Sequence, residues 1–223
     1  MGRTCQVVAV AAVHPLVSQA VDTLQQSGVP VFAPISQLFA TGAVSYVGRD
    51  NWKAGRTAAW NIASVCKSPG KVAILVGSHR FRCREMNESG FRSYVREFAP
   101  QFTIFEALST FETSAVAEEM TERLLIEHPD LKGLFVAGGG ITGAIRALRP
   151  SGKSGRIVAV GQQLMDNTRD GLLDGTLTMI LNDRVDMMVR EAIAGMMRAC
   201  QDPPNHGKQT VVLPLDICIR ENI

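Results

Sequence analysis

An α/β fold built on parallel sheets is what this sequence predicts, and three observations predict it. Uniformly apolar runs recur along the chain, VVAVAAV at 7–13, KVAILV at 71–76, LFVA at 134–137 and IVAV at 157–160. Such runs mark strands covered on both faces. Between them lie segments whose apolar residues recur at helical spacing. The runs end in glycine or a polar loop that opens into the next helix, the alternation expected of parallel strands joined by crossovers.

Taken in order, the strand Val7–Val13 leads to a helix with Leu16, Val17, Ala20, Val21 and Leu24 on one face, closed by Gly28. Val29–Ala33 is a short strand, and Pro34, Ser36 and Thr41-Gly42 mark the loop after it. Val44–Val47 is a further extended piece. Asp50 stands ahead of a helix through Trp52, Ala59, Ile62 and Ala63, placed either to cap that helix or to face a ligand. The turn Lys67-Ser68-Pro69-Gly70 introduces the central strand, Lys71–Val76. Phe102–Ala107 reads as a strand, Ser114–Glu127 as a helix ended by His128-Pro129, and Leu134–Ala137 as a buried strand before a helix through Leu148. Arg156–Gly161, the short helix Asp166–Asp174, Leu177–Leu181 with Asn182 at its polar end, the helix Val185–Cys200, a loop at 203–207 and a last strand Val211–Ile219 complete the series.

The 223 residues, 46% hydrophobic and 20% charged, are enough to bury a sizeable core in one large lobe or two small ones. A net charge of +2, with both signs interspersed, leaves no footprint of a nucleic-acid surface. The five cysteines (Cys5, Cys66, Cys83, Cys200 and Cys218) include no C-x-x-C pair and read as reduced thiols, which points to the cytoplasm. Cys83, between Arg82 and Arg84, is either a thiol activated by its cationic neighbours or a packing residue. The apolar N-terminal stretch, ended by His14 and Pro15, is too short to span a bilayer and is not a convincing secretory signal. No H-E-x-x-H or G-x-S-x-G is present, and His14, His79, His128 and His206 lack metal-ligand spacing, so no metal site and no hydrolase chemistry is expected.

The residues that carry chemistry follow the central strand. In an open α/β sheet, ligands bind outside the carboxyl ends of the strands. There His79, Arg80, Arg82 and Arg84 fall just ahead of or inside the first turn of a helix. For Arg80 and Arg82 a solvated face is an equal reading. With the helix starting near Arg84, Arg84 and Asn87 share one face near unsatisfied backbone N–H groups. A planar donor fork beside a side chain that both donates and accepts suits a hydroxylated or anionic small molecule. Further along, Gly138–Gly143 fits G-x-G-x-x-G between a strand and a helix, the setting of a dinucleotide fingerprint. A nicotinamide site also wants an acidic residue ending the following strand and a place in the first βα unit. Gln162 and Gln163 end that strand here, and the match comes late in the chain. The glycines therefore bring backbone close to some other ligand or to a packed neighbour.

One likeness covers essentially the whole chain. HPLVSQAVDTLQQSGVPV, VGRDNWKAGRTAAWNIA, GKVAILVG with its Arg-bearing loop and ESGFRSY, LKGLFVAGGGITGAIRAL, IVAVG, LLDGTLTMILND and LPLDICIREN resemble, in order and spacing, the effector-binding region of the lac-repressor (LacI) family and its relatives, the periplasmic sugar-binding proteins. The resemblance implies the type I periplasmic-binding-protein-like fold, two parallel-sheet α/β lobes joined by three crossovers, with a small molecule, usually a sugar, between them. Residues 1–47 and 183–206 would form the first lobe, and 48–182 and 207–223 the second. By position, the resemblance and the basic loop give Ser36, Asp50, Arg82, Arg84, Asn87, Gly138, Gly139, Gln162 and Asn182 as ligand-binding residues, with no cofactor. Family members often carry Asp where this chain has Ile35-Ser36, Ala137-Gly138 and Gln162; fewer carboxylates beside a basic loop suit a phosphorylated or acidic sugar derivative.

In that family two βα units, roughly 60 residues, precede the strand at Val7, and regulators add a helix-turn-helix head. The expectation is an incomplete first lobe whose open edge favours a homodimer. The function expected is the small-molecule-sensing domain of a lac-repressor-type transcriptional regulator, lobe closure setting the spacing of DNA-reading heads. DNA would be contacted only through a domain this sequence lacks. The alternatives are the soluble receptor of a sugar importer and a dinucleotide-dependent enzyme.

Overall fold

The computed structural model describes residues 5–11, 15–38, 40–201 and 207–223. The chain divides into two compact units, one made of Met1–Asp50, Arg80–Cys83 and Arg184–Pro214, the other of Asn51–His79, Arg84–Asp183 and Leu215–Ile223.

In the first unit the described strands are β1 (Val8–Ala9), β2 (Val31–Pro34), β3 (Ser45–Arg49) and β10 (Thr210–Leu213), all parallel in the order β1-β2-β3-β10. The alternation along β2 decides what covers each face. Val31 and Ala33 pack with Val21 of helix α1 (Pro15–Gln26), whereas Phe32 packs with Met188 and Ala192 of helix α7 (Val185–Gln201). Gly28 closes α1 with φ +75, the left-handed geometry read for it from the sequence.

The second unit holds α2 (Asn51–Val65), β4 (Lys71–Val76), most of α3 (Arg82–Phe98), β5 (Thr103–Ile104), β6 (Leu108–Ser109) and α4 (Ser114–Glu127). It continues with β7 (Leu131–Ala137), α5 (Ile141–Leu148), β8 (Val158–Gln162), α6 (Asp166–Leu173), β9 (Met179–Asp183) and β11 (Leu215–Cys218). Among the described residues its sheet runs β11-β9-β8-β7-β4-β5, with β6 also paired to β4, and only β11 is antiparallel. The apolar runs are apolar because both faces are dry. Ala73, Leu75, Leu134 and Val136 pack with Ala117, Leu124, Ala144 and Ile145 of α4 and α5. Val72, Ile74, Val76 and Phe135 pack on the other side with Ala58 and Ile62 of α2 and Phe91 and Val95 of α3, Phe91 stacking on Phe135 at 5.4 Å.

Helices α2 and α3 approach backbone to backbone. A Cβ at Gly55 would overlap the Asn87 carbonyl oxygen, and one at Gly90 the Trp52 carbonyl oxygen. Two glycines thus set how closely α3 lies on α2.

Several boundaries differ from the reading of the sequence. Phe102–Ala107 is not one strand; within it only Thr103–Ile104 (β5) pairs with β4, and pairing with β4 resumes past its end at Leu108–Ser109 (β6). Val211–Ile219 is also divided. Pro214, which has no N–H to donate, separates β10, parallel to β3, from β11, antiparallel to β9. Residues 207–214 therefore go with the first unit rather than the second. Residues 80–83 join that unit as well, where the Cys83 N–H donates to Ser36 Oγ at 3.2 Å. Among the described residues of the expected first strand, Val8–Ala9 form β1 and the Val10 N–H also donates to the Phe32 carbonyl at 2.9 Å; residues 12–14 lie outside the described residues, as do His206 and most of the 203–207 loop.

Candidate functional site

Three of the seven polar side chains that the sequence singled out, Arg84, Asn87 and Gln162, belong to the end of β8 and to the helix that follows β4. Arg84, in the first turn of α3, donates from Nη1 to Gln162 Oε1 at 3.0 Å, joining α3 to the last residue of β8. Its Nε lies 3.5 Å from Glu112 Oε1. Asn87, one turn further along α3, is fully buried, and neither its Nδ2 nor its Oδ1 has a hydrogen-bond partner. The Arg84 Nε and Gln162 Nε2 are likewise buried without a hydrogen bond. Buried polar groups are nearly always paired, so each of these spare donors and acceptors calls for an explanation.

The glycine loop after β7 is packed by protein. At Gly138, with φ +153, a Cβ would press on Gly77 and on Arg84 Nε; at Gly139 it would overlap the Glu112 carboxylate. Glu112 Oε2 accepts the Gly139 N–H at 2.6 Å, and Thr110 Oγ1 donates to the Gly139 carbonyl at 2.8 Å. The packed-neighbour reading of these glycines thus holds, and the space where a dinucleotide phosphate would sit is filled by a carboxylate. Phe111 and Glu112 were missed by sequence reasoning. They adopt φ +52 and +58, left-handed backbone that costs about 1–3 kcal/mol per residue outside glycine. The paired turn sends Glu112 inward to the glycine loop and leaves Phe111 70% exposed.

The remaining candidates are distributed over both units. Ser36 is buried and supplies the acceptor for the N–H of Cys83, the second residue of α3, doing the work of a helix cap from another segment. The helix starts at Arg82, two residues earlier than expected. Arg82 belongs to the first unit and lines a cavity of about 190 Å³ there with Gln37, Leu38, Tyr46 and Lys208. Asp50 is the partly buried residue ahead of α2. Asn182 lies inside β9 rather than after it, and its Oδ1 accepts the Leu164 N–H at 3.0 Å, pinning the loop after β8. Gln163, at φ +69, donates to Asp183 Oδ2 at 3.0 Å. Cys83 is 4% exposed, the packing role. Among the described residues, no group of three His, Cys, Asp or Glu side chains is placed to hold a metal ion.

His79 anchors the loop between β4 and α3. Its Nε2 meets Glu88 Oε2 at 2.6 Å and its Nδ1 meets Ser109 Oγ at 3.2 Å, while Arg92 Nε donates to Glu88 Oε1 at 2.7 Å. Burial raises the Glu88 carboxyl pKa, but the hydrogen bonds from His79 and Arg92 outweigh burial and hold it below the ordinary glutamate value. A depressed carboxyl contributes stability above its unfolded pKa, about 4.3, and loses it as pH falls through the folded value. Glu88→Gln is therefore expected to melt below wild type at pH 7 and to converge with it as the buffer is taken below about pH 4. A constant gap in melting temperature across that range would show that Glu88 acts without its charge.

A family model described as a periplasmic binding protein domain matches residues 2–204. The D-ribose/D-allose-binding protein of Pseudomonas aeruginosa is 26% identical over 176 residues, 76% of this chain and 53% of that protein. The ribose import binding protein RbsB of Escherichia coli is 28% identical over 156 residues, 70% of this chain and 51% of the relative. The chain thus spans about half the length of the curated relatives it matches. Among solved structures, an ABC transporter solute binding protein from Burkholderia graminis in complex with D-arabinose superposes with a TM-score of 0.91 at 23% identity, covering 99% of this chain and 77% of that one. The likeness shows the fold, an α/β architecture of parallel-dominated sheets of the type I periplasmic-binding-protein kind.

Two expectations are corrected by these findings. The sensing domain of a transcriptional regulator gives way, because the matched relatives are sugar-binding and import-binding proteins. The cytoplasmic placement gives way with it, because the matched family is that of periplasmic binding proteins. Both failed for a physical reason. Regulator cores and soluble receptors share the same buried-strand pattern, and unpaired cysteines report the lack of a disulfide framework rather than a compartment.

Proposed function

The chain belongs to the periplasmic binding protein domain family, and from that membership we propose that it binds a small sugar at the carboxyl ends of the strands of its second unit, as the receptor component of a sugar importer. The observation that carries the reading is the set of buried, unsatisfied polar atoms on Arg84, Asn87 and Gln162, two of which, Arg84 and Gln162, are joined by a hydrogen bond. Sugar hydroxyls both donate and accept. Arg84 has donors to spare, Asn87 a free donor and a free acceptor, and Gln162 a free amide N–H₂, so together they match several hydroxyls at fixed spacing. Phe111, exposed and next in the chain to Glu112, offers an apolar ring for the C–H face of a pyranose or furanose. The sugars for which the similar proteins are named or with which they are bound, D-ribose, D-allose and D-arabinose, support a pentose or hexose of that size.

Calorimetric titration of the chain with D-ribose, D-allose and D-arabinose tests the reading. Saturable, one-site binding of at least one of them is expected. Heats no larger than dilution for all three would remove the sugar-binding reading.

A further inference from the structure

We infer that Glu112 is a built-in anion that sets the charge specificity of this site, so that it takes neutral sugars and rejects phosphorylated or acidic ones. The inference rests on the sugar-binding reading above and reverses the preference that the basic loop alone would give.

A glycine-rich turn opening a helix is a place where backbone N–H groups and the helix dipole favour negative charge. Arg84 stands beside that turn, its Nε against Gly138. Left to themselves, the two would make an attractive seat for a phosphate or carboxylate. The chain fills the seat itself. Glu112 Oε2 takes the Gly139 N–H at 2.6 Å and Oε1 lies 3.5 Å from Arg84 Nε. The carboxylate is held between Gly77 and Gly139, where a Cβ at either position would collide with it. Its own N–H donates to the Gly77 carbonyl at 3.3 Å, so backbone as well as side chain is fixed.

Charge bookkeeping then decides the ligand class. Arg84 contributes one positive charge and Glu112 one negative charge, at side-chain exposures of 20% and 34%, so the pair is only partly screened by solvent. An incoming phosphate would meet an already neutralised guanidinium and a fixed carboxylate; a neutral hydroxyl would meet spare donors without that repulsion. The left-handed backbone at 111 and 112 fits this role, since it turns a glutamate side chain onto the glycine loop directly after a strand.

The test compares wild type with Glu112→Gln, which keeps an oxygen for the Gly139 N–H and removes the charge. Glu112→Gly serves as a second variant, because glycine accepts the left-handed backbone without strain. The first readout is the melting temperature in inorganic phosphate against chloride of equal ionic strength. Wild type should show no phosphate-specific rise, both variants should show one corresponding to binding about tenfold or more tighter than wild type, and adding Arg84→Ala should abolish it. The second readout is calorimetric, with D-ribose and D-ribose 5-phosphate. Wild type should take the first and not the second, and Glu112→Gln should gain the second. No difference in phosphate stabilisation between wild type and both variants, or wild-type binding of D-ribose 5-phosphate as tight as D-ribose, would overturn the inference. If phosphate stabilises the variants alone while no sugar binds wild type, the anion role of Glu112 stands and the sugar-binding reading falls.

Discussion

Gly90→Ala is expected to lower the stability of the chain by about 3 kcal/mol, the upper part of the range for overpacking. At an open helical position the same change would stabilise, since alanine exceeds glycine by about 1 kcal/mol in helix propensity. The sign reverses because the new Cβ would overlap the Trp52 carbonyl oxygen, a backbone atom of α2 that no rotamer change can move aside. Gly55 faces the reciprocal problem against the Asn87 carbonyl. Separating the helices would also loosen Phe91 from its stack on Phe135 and shift Arg84 and Asn87 away from β8. For a chain of this size about 3 kcal/mol corresponds to a fall in melting temperature of roughly 6–12 °C. Weaker sugar binding should accompany it. A Gly90→Ala protein that melts with wild type would mean that α2 and α3 are not held at backbone distance.

How much of this was legible in the sequence varied with what each residue is held by. β4 and α4 have the bounds read from the pattern, Lys71–Val76 and Ser114–Glu127, because a strand dry on both faces and a helix of regular spacing each announce themselves locally. Phe102–Ala107 misled because only Thr103–Ile104 within it pairs with β4, and the pairing resumes at Leu108–Ser109, beyond the expected strand, a tertiary fact that no local period records. The strand-end rule pointed to Arg84 and Asn87, and the family resemblance to Gln162. Neither found Phe111 or Glu112. Two consecutive non-glycine residues in left-handed backbone leave no trace in periodicity or turn composition, and the only local hint was an aromatic residue just ahead of the Thr113-Ser114 helix start. Ser36 has a partner that the sequence did not show. It stands in a loop after a strand, where a ligand contact was expected, yet its hydroxyl is taken up by the N–H of Cys83, 47 residues away. Regulator and receptor were indistinguishable at this level, because the features separating them do not lie in the packing of the strands.

The proposed sugar site makes its largest demand on Arg84. Its guanidinium joins α3 to β8 through Gln162 and has further N–H donors for ligand hydroxyls. Hydrogen bonds from a charged group contribute about 1.5–3 kcal/mol each, so Arg84→Ala should weaken sugar binding at least about tenfold and up to about a hundredfold. Stability should change far less. The lost ion pair with Glu112 is partly solvated, the Gly139 N–H still satisfies that carboxylate, and the melting temperature should fall by no more than about 3 °C.

Calorimetric titration of wild type and Arg84→Ala with the sugar that wild type binds tests the central claim most directly. Saturable binding by wild type, reduced at least about tenfold in a variant that still melts cooperatively, is the result expected. Equal affinity in the two proteins would place the sugar away from the carboxyl ends of β4, β7 and β8 and contradict the site described for this chain.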